Sequence, residues 1–440
     1  MIKKIRRMLF GRPLHNKELT HQKLPRWKAL SIFSSDALSS VGYGPEQIAL
    51  TFALSGLLVY GYFSYVLVAV LILLTVVTIS YAQVARANPG GGGSYSVALH
   101  NLGEYPALIA AASLFADYVL TVAVSVSSGT AALISAFPSF IEYEILINLL
   151  VLFGILMLIN LRGIQESANV FVIPTYLFIV GILALIIFGL YQAFTSSAPL
   201  LPAASVVRAP LDWTVLFLVL RAFANGCSSM TGIEAISNGV PTFREPEVHN
   251  AITTTYWMSS ILGVMTAGIS FLILHQHLLP MENVTMLSQL TESVFARNWF
   301  YYYIQISTML ILYLAANTSY NGLPPLLSLM AGDGYMPRYL GNRGERLSFS
   351  NGIILLSGMA GVLIYVFRGN VEHLISLYAV GVFLSFTIAQ MGLVVHWYRK
   401  RGQHWATRVA INAFGASITG LVVLIIAISK FSDGAWIVLI

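Results

Sequence analysis

Charge is scarce in this chain. Only 10% of its 440 residues are Asp, Glu, Lys or Arg, against roughly 25% in ordinary soluble domains. Hydrophobic residues make up 57% and the mean hydropathy is +0.76. This shortage excludes a water-soluble fold and implies a polytopic membrane protein. Cysteine is almost missing: Cys227 stands alone, so an internal disulfide is impossible, and no metal-ligand spacing surrounds it. It reads as a packing residue. Histidine does not supply the missing ligands, because the nine His residues fall mostly in loops or at span ends and none forms a metal motif at membrane depth. An early apolar core with a small-residue cleavage site is also lacking, so no signal peptide is expected. The first 28 residues instead carry Lys3, Lys4, Arg6, Arg7, Arg12, Lys17, Lys23, Arg26 and Lys28 and are expected to stay inside.

Enzyme motifs are missing too. No nucleophile elbow, His-Glu-x-x-His helix or paired-carboxylate hydrolase pattern occurs, so an enzyme has little support. Asn88-Pro89-Gly90-Gly91-Gly92-Gly93-Ser94-Tyr95 is glycine-rich, but it has neither the Lys nor the preceding strand of a phosphate loop. It reads as the tight inner turn between the second and third spans. Residues 332–338 likewise read as an inner loop.

Long apolar runs are abundant. Stretches near the 20 residues that a helix needs to cross a bilayer occur at 27–53, 60–84, 106–137, 145–161, 170–194, 213–240, 252–275, 299–330, 351–367, 373–397 and 409–429. These make eleven spans, and a twelfth begins at Gly434 and stops at Ile440. The expected organisation is a cytosolic segment over residues 1–26 and a transmembrane domain over 27–440, continuing beyond Ile440. With alternating spans and an inside N-terminus, all but five of the 24 Lys and Arg fall on the inner side. The five are Arg208, Arg297, Arg368 and Lys430 at or near the outer side, and Arg221 near the outer end of the sixth span. That bias places the N-terminus in the cytoplasm, and the net charge of +6 then reflects topology and anionic headgroups, not nucleic acid.

Two spans look interrupted. The first carries Ser34-Ser35-Asp36-Ala37-Leu38-Ser39-Ser40-Val41-Gly42-Tyr43-Gly44-Pro45, and the sixth carries Asn225-Gly226-Cys227-Ser228-Ser229-Met230-Thr231-Gly232-Ile233-Glu234-Ala235. Gly and Ser weaken helices, so both runs are expected to unwind. Breaks five spans apart lie in opposite topology, the geometry of an inverted five-helix repeat with a mid-membrane site. Unwound carbonyls there face a cation, and freed half-helix N-termini attract an anion.

Three carboxylates, Asp36, Asp117 and Glu234, sit inside the spans with no comparable set of intramembrane Lys or Arg. Acids at that depth cost several kcal/mol and usually mark an ion pathway, a proton relay or a pairing site. On the third span, Thr121 and Ser125 follow Asp117 along one helical face, and Tyr118 shares an overlapping stripe. The tenth span offers Ser376, Tyr378 and Gly381, where Tyr378 is either a cavity oxygen or an interfacial anchor. Oxygen ligands of this kind suit a hard monovalent cation, potassium or sodium. A buried acid can also carry a coupling proton; Glu234 is the first candidate, with Asp36 and Asp117 as competitors. Glu46, nearer the outer end of the first span, is expected to be hydrated.

The runs Ser-Ser-Asp-Ala-Leu-Ser-Ser-Val-Gly-Tyr-Gly from Ser34, Asp-Tyr-Val-Leu-Thr from Asp117, Thr-Gly-Ile-Glu-Ala-Ile-Ser-Asn from Thr231 and Leu-Tyr-Ala-Val-Gly-Val-Phe through Tyr378 closely resemble the KUP potassium-uptake permeases, within the amino acid-polyamine-organocation superfamily. The resemblance covers essentially the whole chain. It implies an all-α, twelve-helix bacterial cell-membrane protein of the LeuT-like 5+5 inverted-repeat fold, with broken first and sixth helices, importing potassium with protons and needing no cofactor. The potassium-binding set it implies is Asp36, Tyr43, Asp117, Tyr118, Ser125, Thr231, Glu234 and Tyr378. It also implies a C-terminal cytosolic domain that dimerises and responds to cyclic di-AMP. The alternative is an amino acid or polyamine transporter on the same scaffold. Asp36 would repel a substrate carboxylate in that cavity, whereas a polyamine suits the acids better.

Overall fold

The computed structural model describes residues 23–54, 60–162, 164–195, 210–341 and 349–429. The N-terminal basic residues before Lys23, Arg208, Arg343, Arg346, Lys430 and the partial twelfth span lie outside the described residues, as does the side chain of Ser376. Among the described residues the chain is all-helical, and nine helices are long and apolar enough to cross a membrane. In a bilayer every backbone N–H and C=O needs an internal partner, which long helices supply. The chain is a multi-pass membrane protein.

Two of the eleven expected spans are not among those nine. The ninth is a shorter apolar helix, Ser350–Val366. The first is divided into Arg26–Phe33, Ser35–Ser39, a 3₁₀ turn at Ser40–Gly42, and Gly44–Leu54, so no single piece is long enough. The sixth runs as Trp213–Gly226, then a 3₁₀ turn at Cys227–Met230, and resumes as the short helix Ala235–Asn238. Its break contains Thr231, which is extended (φ −70°, ψ 155°), and Gly232 in the left-handed region at φ 78°.

The two breaks therefore differ, where the sequence suggested unwinding in both. In the first span, Ser39 Oγ donates to the Asp36 carbonyl at 2.9 Å and Ser40 Oγ to the Ala37 carbonyl at 2.6 Å. These bonds back to the preceding turn satisfy carbonyls while the chain stays coiled, bending it instead of opening it. The sixth span opens because Gly232 can take a positive φ without a Cβ clash.

The second span, Phe63–Ala87, does not pass by one tight turn into the third. Gly91, Gly92 and Gly93, all at positive φ, turn the chain into an additional short helix, Gly93–Asn101, before the third span begins at Glu104. This helix packs on the tenth span and the third. A further helix, Met286–Phe295, lies between the seventh and eighth spans; it is too short and too polar to register as a span.

The third span, Glu104–Ala136, is the centre of the bundle, with its most extensive packing against the eighth, Trp299–Gly332, and the tenth, Val371–Lys400. A Cβ at Gly381 would stand 2.9 Å from the Ser113 carbonyl and 3.7 Å from the Asp117 nitrogen, so only glycine lets the tenth span lie this close. Side-chain caps fix where three spans start: Asp212 accepts from Val215 N–H at 2.7 Å, Asn298 from Phe300 N–H at 2.9 Å and Asn370 from His373 N–H at 3.1 Å.

Candidate functional site

The bends of the first and sixth spans touch. Ser40 Oγ donates to the Ser229 carbonyl at 2.8 Å, and a Cβ at Gly44 would meet the Ser229 Cβ at 2.5 Å. One turn away, Asp36 lies against the sixth-span break, since a Cβ at Gly232 would fall 2.5 Å from Asp36 Oδ2. Asp36, Asp117 and Glu234 are only 3%, 1% and 2% exposed, and no Lys or Arg among the described residues is buried with them. Each of the three acids lies within electrostatic reach of at least one other.

Phenols and hydroxyls join the four contributing spans. Tyr43 of the first span meets Thr231 of the sixth and Tyr378 of the tenth. Tyr378 in turn faces Thr121 of the third, whose Oγ1 donates to Asp117 Oδ1 at 3.4 Å. Tyr378 is fully buried, which makes it part of the interior and not an interfacial anchor. Its hydroxyl has no well-directed partner, and neither do Asp36 Oδ1 and Glu234 Oε2. The Glu234 carboxylate faces the backbone N–H groups of Gly232 and of Glu234 itself.

Seven of the eight residues implied by the resemblance thus come together. Tyr118 belongs through its neighbours: its ring packs on Gly322, its hydroxyl accepts from Asn238 Nδ2 at 2.6 Å, and it lies within reach of Glu234 and Asp117. Ser125 is buried one turn beyond Thr121 toward the C-terminal end of the third span. Among the described residues, no three His, Cys, Asp or Glu are grouped closely enough to hold one metal ion between them. The three acids are in reach of one another but are not grouped on a single point.

Sequence reasoning passed over several neighbours. Tyr81 of the second span lies within reach of Glu234 and bonds Ser94 at 3.1 Å, and Ser94 bonds Ser385 of the tenth at 3.0 Å. Lone hydroxyls in apolar helices give no signal of this kind; only the fold aligns them. Asn238 was legible as the end of the Thr231 motif but not as the partner of Tyr118. Glu46, expected to be hydrated, is half-buried and faces the Met286 backbone N–H at the start of the additional helix Met286–Phe295.

The amino acid permease family model matches residues 24–436. The chain belongs to the amino acid permease family. Within reach of this permease is the potassium transporter KimA of Bacillus subtilis (strain 168), 44% identical over 440 residues, which are all of this chain and 72% of that protein. This agrees with the resemblance carried by the first-, third-, sixth- and tenth-span motifs. A solved Na+-coupled sialic acid symporter, captured substrate-bound and outward-open, superposes with a TM-score of 0.53 at 13% identity, covering 92% of this chain and 90% of its own. At that identity the likeness speaks for the fold alone, and the fold is the LeuT-like one. The permease is a transporter, not an enzyme.

Proposed function

We propose that this permease imports potassium ions by alternating access, with protons as the coupling ion. The observation that carries the reading is the set of three buried acids held among hydroxyls where two broken spans touch, with no buried Lys or Arg beside them. Such a cavity offers carboxylate, phenol, hydroxyl and freed carbonyl oxygens, the ligands of a hard monovalent cation. The potassium-transporting relative supports potassium over sodium.

In this reading Asp36, Tyr43, Asp117, Tyr118, Ser125, Thr231, Glu234 and Tyr378 hold potassium. The three acids are not grouped on one point, so hydroxyls and backbone carbonyls provide the remaining ligands. Glu234, held at the start of the resumed sixth-span helix, is the first candidate for the proton carrier, with Asp36 and Asp117 as competitors. The N-terminus lies in the cytoplasm, on the side favoured by the basic residues. Dimerisation and control by cyclic di-AMP would be carried by a C-terminal domain outside these 440 residues.

The family model's description favours one second reading, amino acid transport. Asp36 opposes it, because its carboxylate stands at the break where an amino acid carboxylate would have to be received. The deciding experiment reconstitutes the purified protein into liposomes and offers potassium, sodium, a polyamine or a mixed amino acid pool while internal pH is followed. Potassium uptake with internal acidification is the expected result. Amino acid or polyamine uptake without potassium flux would overturn the reading, and potassium flux without acidification would remove the proton.

A further inference from the structure

Where the tenth span ends and the eleventh, Trp405–Ser429, begins, the chain gathers cations and no acid. No Asp or Glu occurs between Glu372 and Asp433, whereas Arg399, Lys400, Arg401 and Arg408 fall within one short connection. Among the described residues none of these four makes an ion pair with a carboxylate. The connection is built on aromatic rings. Arg401, left-handed at φ 39°, donates its N–H to the Trp397 carbonyl at 3.1 Å and ends the tenth helix. Its guanidinium lies 5.2 Å from the centre of the Tyr398 ring and 5.7 Å from that of Trp405. The two rings meet edge-on at 6.0 Å. Arg408 lies 4.4 Å from the centre of the Trp397 ring.

A guanidinium placed over a ring face keeps its N–H edge available, and a planar fork of donors suits a phosphate. A further donor is present at the same corner. Trp397 is only 5% exposed, yet its Nε1 has no acceptor, and the neighbouring His396 Nε2 is also without a partner. A buried indole N–H at the end of two membrane spans calls for an acceptor at headgroup depth. Tyr398 is exposed and Trp405 half-buried, as expected of side chains at a lipid interface. A broad acidic protein surface or a nucleic acid would not reach an indole recessed between two spans.

We propose that this corner is a binding site for an anionic phospholipid headgroup, whose phosphate is received by Arg401, Arg408 and the Trp397 indole N–H. The inference rests on the span arrangement and not on the transported substrate. The test measures thermal unfolding of the purified chain in neutral detergent with added phosphatidylglycerol, phosphatidylcholine or inorganic phosphate. Phosphatidylglycerol is expected to raise the midpoint by several degrees, and the other two to leave it unchanged. The R401Q/R408Q double variant is expected to lose more than half of that shift, and Trp397→Phe, which removes the N–H and keeps a ring, to lose part of it. Arg338→Gln, at another exposed arginine, is expected to keep it. A full shift in R401Q/R408Q would overturn the proposal, and so would an equal loss in R338Q, the mark of diffuse charge. Inorganic phosphate reproducing the shift would replace the lipid by a free anion. Should the double variant not fold, an undiminished shift in Trp397→Phe would equally count against the site.

Discussion

Gly232→Ala probes the contact that holds the cavity together. Two penalties arise from separate features. A side chain at φ 78° costs about 1–2 kcal/mol in the left-handed region. The new Cβ would also sit 2.5 Å from Asp36 Oδ2 and 2.9 Å from Asp36 Cβ and Cγ, where ordinary contact begins near 3.4 Å. The carboxylate must therefore retreat by about 1 Å, or the sixth-span break must shift by as much. For a monovalent cation about 4 Å from the carboxylate at an effective dielectric of about 20, moving to about 5 Å loses roughly 0.8 kcal/mol. That is about a fourfold weakening of potassium binding. Uptake into liposomes should show a KM raised about three- to tenfold, and thermal unfolding should show a lower midpoint. In an Asp36→Ala background the contacts with the carboxyl group are gone but the 2.9 Å contact with Cβ remains, so the stability cost of Gly232→Ala should shrink and still exceed the backbone strain of about 1–2 kcal/mol. A Gly232→Ala variant with the wild-type KM would refute the claim that Asp36 is placed on potassium through this contact.

Removing the charge itself should act more strongly than moving it. Asp36→Asn or Asp117→Asn keeps the volume but removes up to about 4 kcal/mol of attraction, so uptake should collapse by as much as about a thousandfold with expression intact; wild-type uptake by either variant would end its role as a ligand. Glu234→Gln should leave a potassium flux that no longer responds to an imposed pH gradient, and retained pH dependence would move the coupling role to Asp36 or Asp117. Tyr43→Phe removes the hydroxyl that stands beside Thr231 and Tyr378 and should raise the potassium KM by up to about tenfold, the loss of one polar contact of about 0.5–1.5 kcal/mol; an unchanged KM would make that phenol a packing group.

Much of this architecture is legible in the sequence because a bilayer makes the rules strict. The apolar runs name the spans, and the Gly and Ser run from Asn225 to Ala235 marks the sixth span as interrupted. What the sequence cannot show is how a serine will spend its hydroxyl. The runs around Ser39 and Ser229 look equally helix-weakening, yet Ser39 and Ser40 bond back to their own turn while Ser40 also reaches the Ser229 carbonyl. Only packing decides between a bend and an opening. The same holds for the glycines at 91–93, which read as a simple turn but admit a short helix because their positive φ values redirect the chain toward Asn238. Tyr378 was ambiguous on sequence because a tyrosine near a span end suits either environment. Its place became determinate once Gly381 let the tenth span close on the third.

The cavity combines costs that a packing site would avoid. Burying an acid in a membrane interior is unfavourable by several kcal/mol unless partners compensate, and the partners supplied here are weak or local. Asp117 has Thr121 at 3.4 Å, Asp36 Oδ1 and Glu234 Oε2 have no donor, and no buried Lys or Arg lies among the described residues. The phenols, by contrast, are arranged among themselves and with threonines. An interior selected for stability would pair such acids or replace them with apolar residues of similar volume. Under the proposed function the imbalance is useful, because a potassium ion supplies the compensation only while it is bound. The spacing of the acids then matters as much as their number. Three carboxylates converging on one ion would hold it too tightly to release, whereas acids that are not grouped on one point, with a hydroxyl such as that of Thr121 beside them, still permit exit.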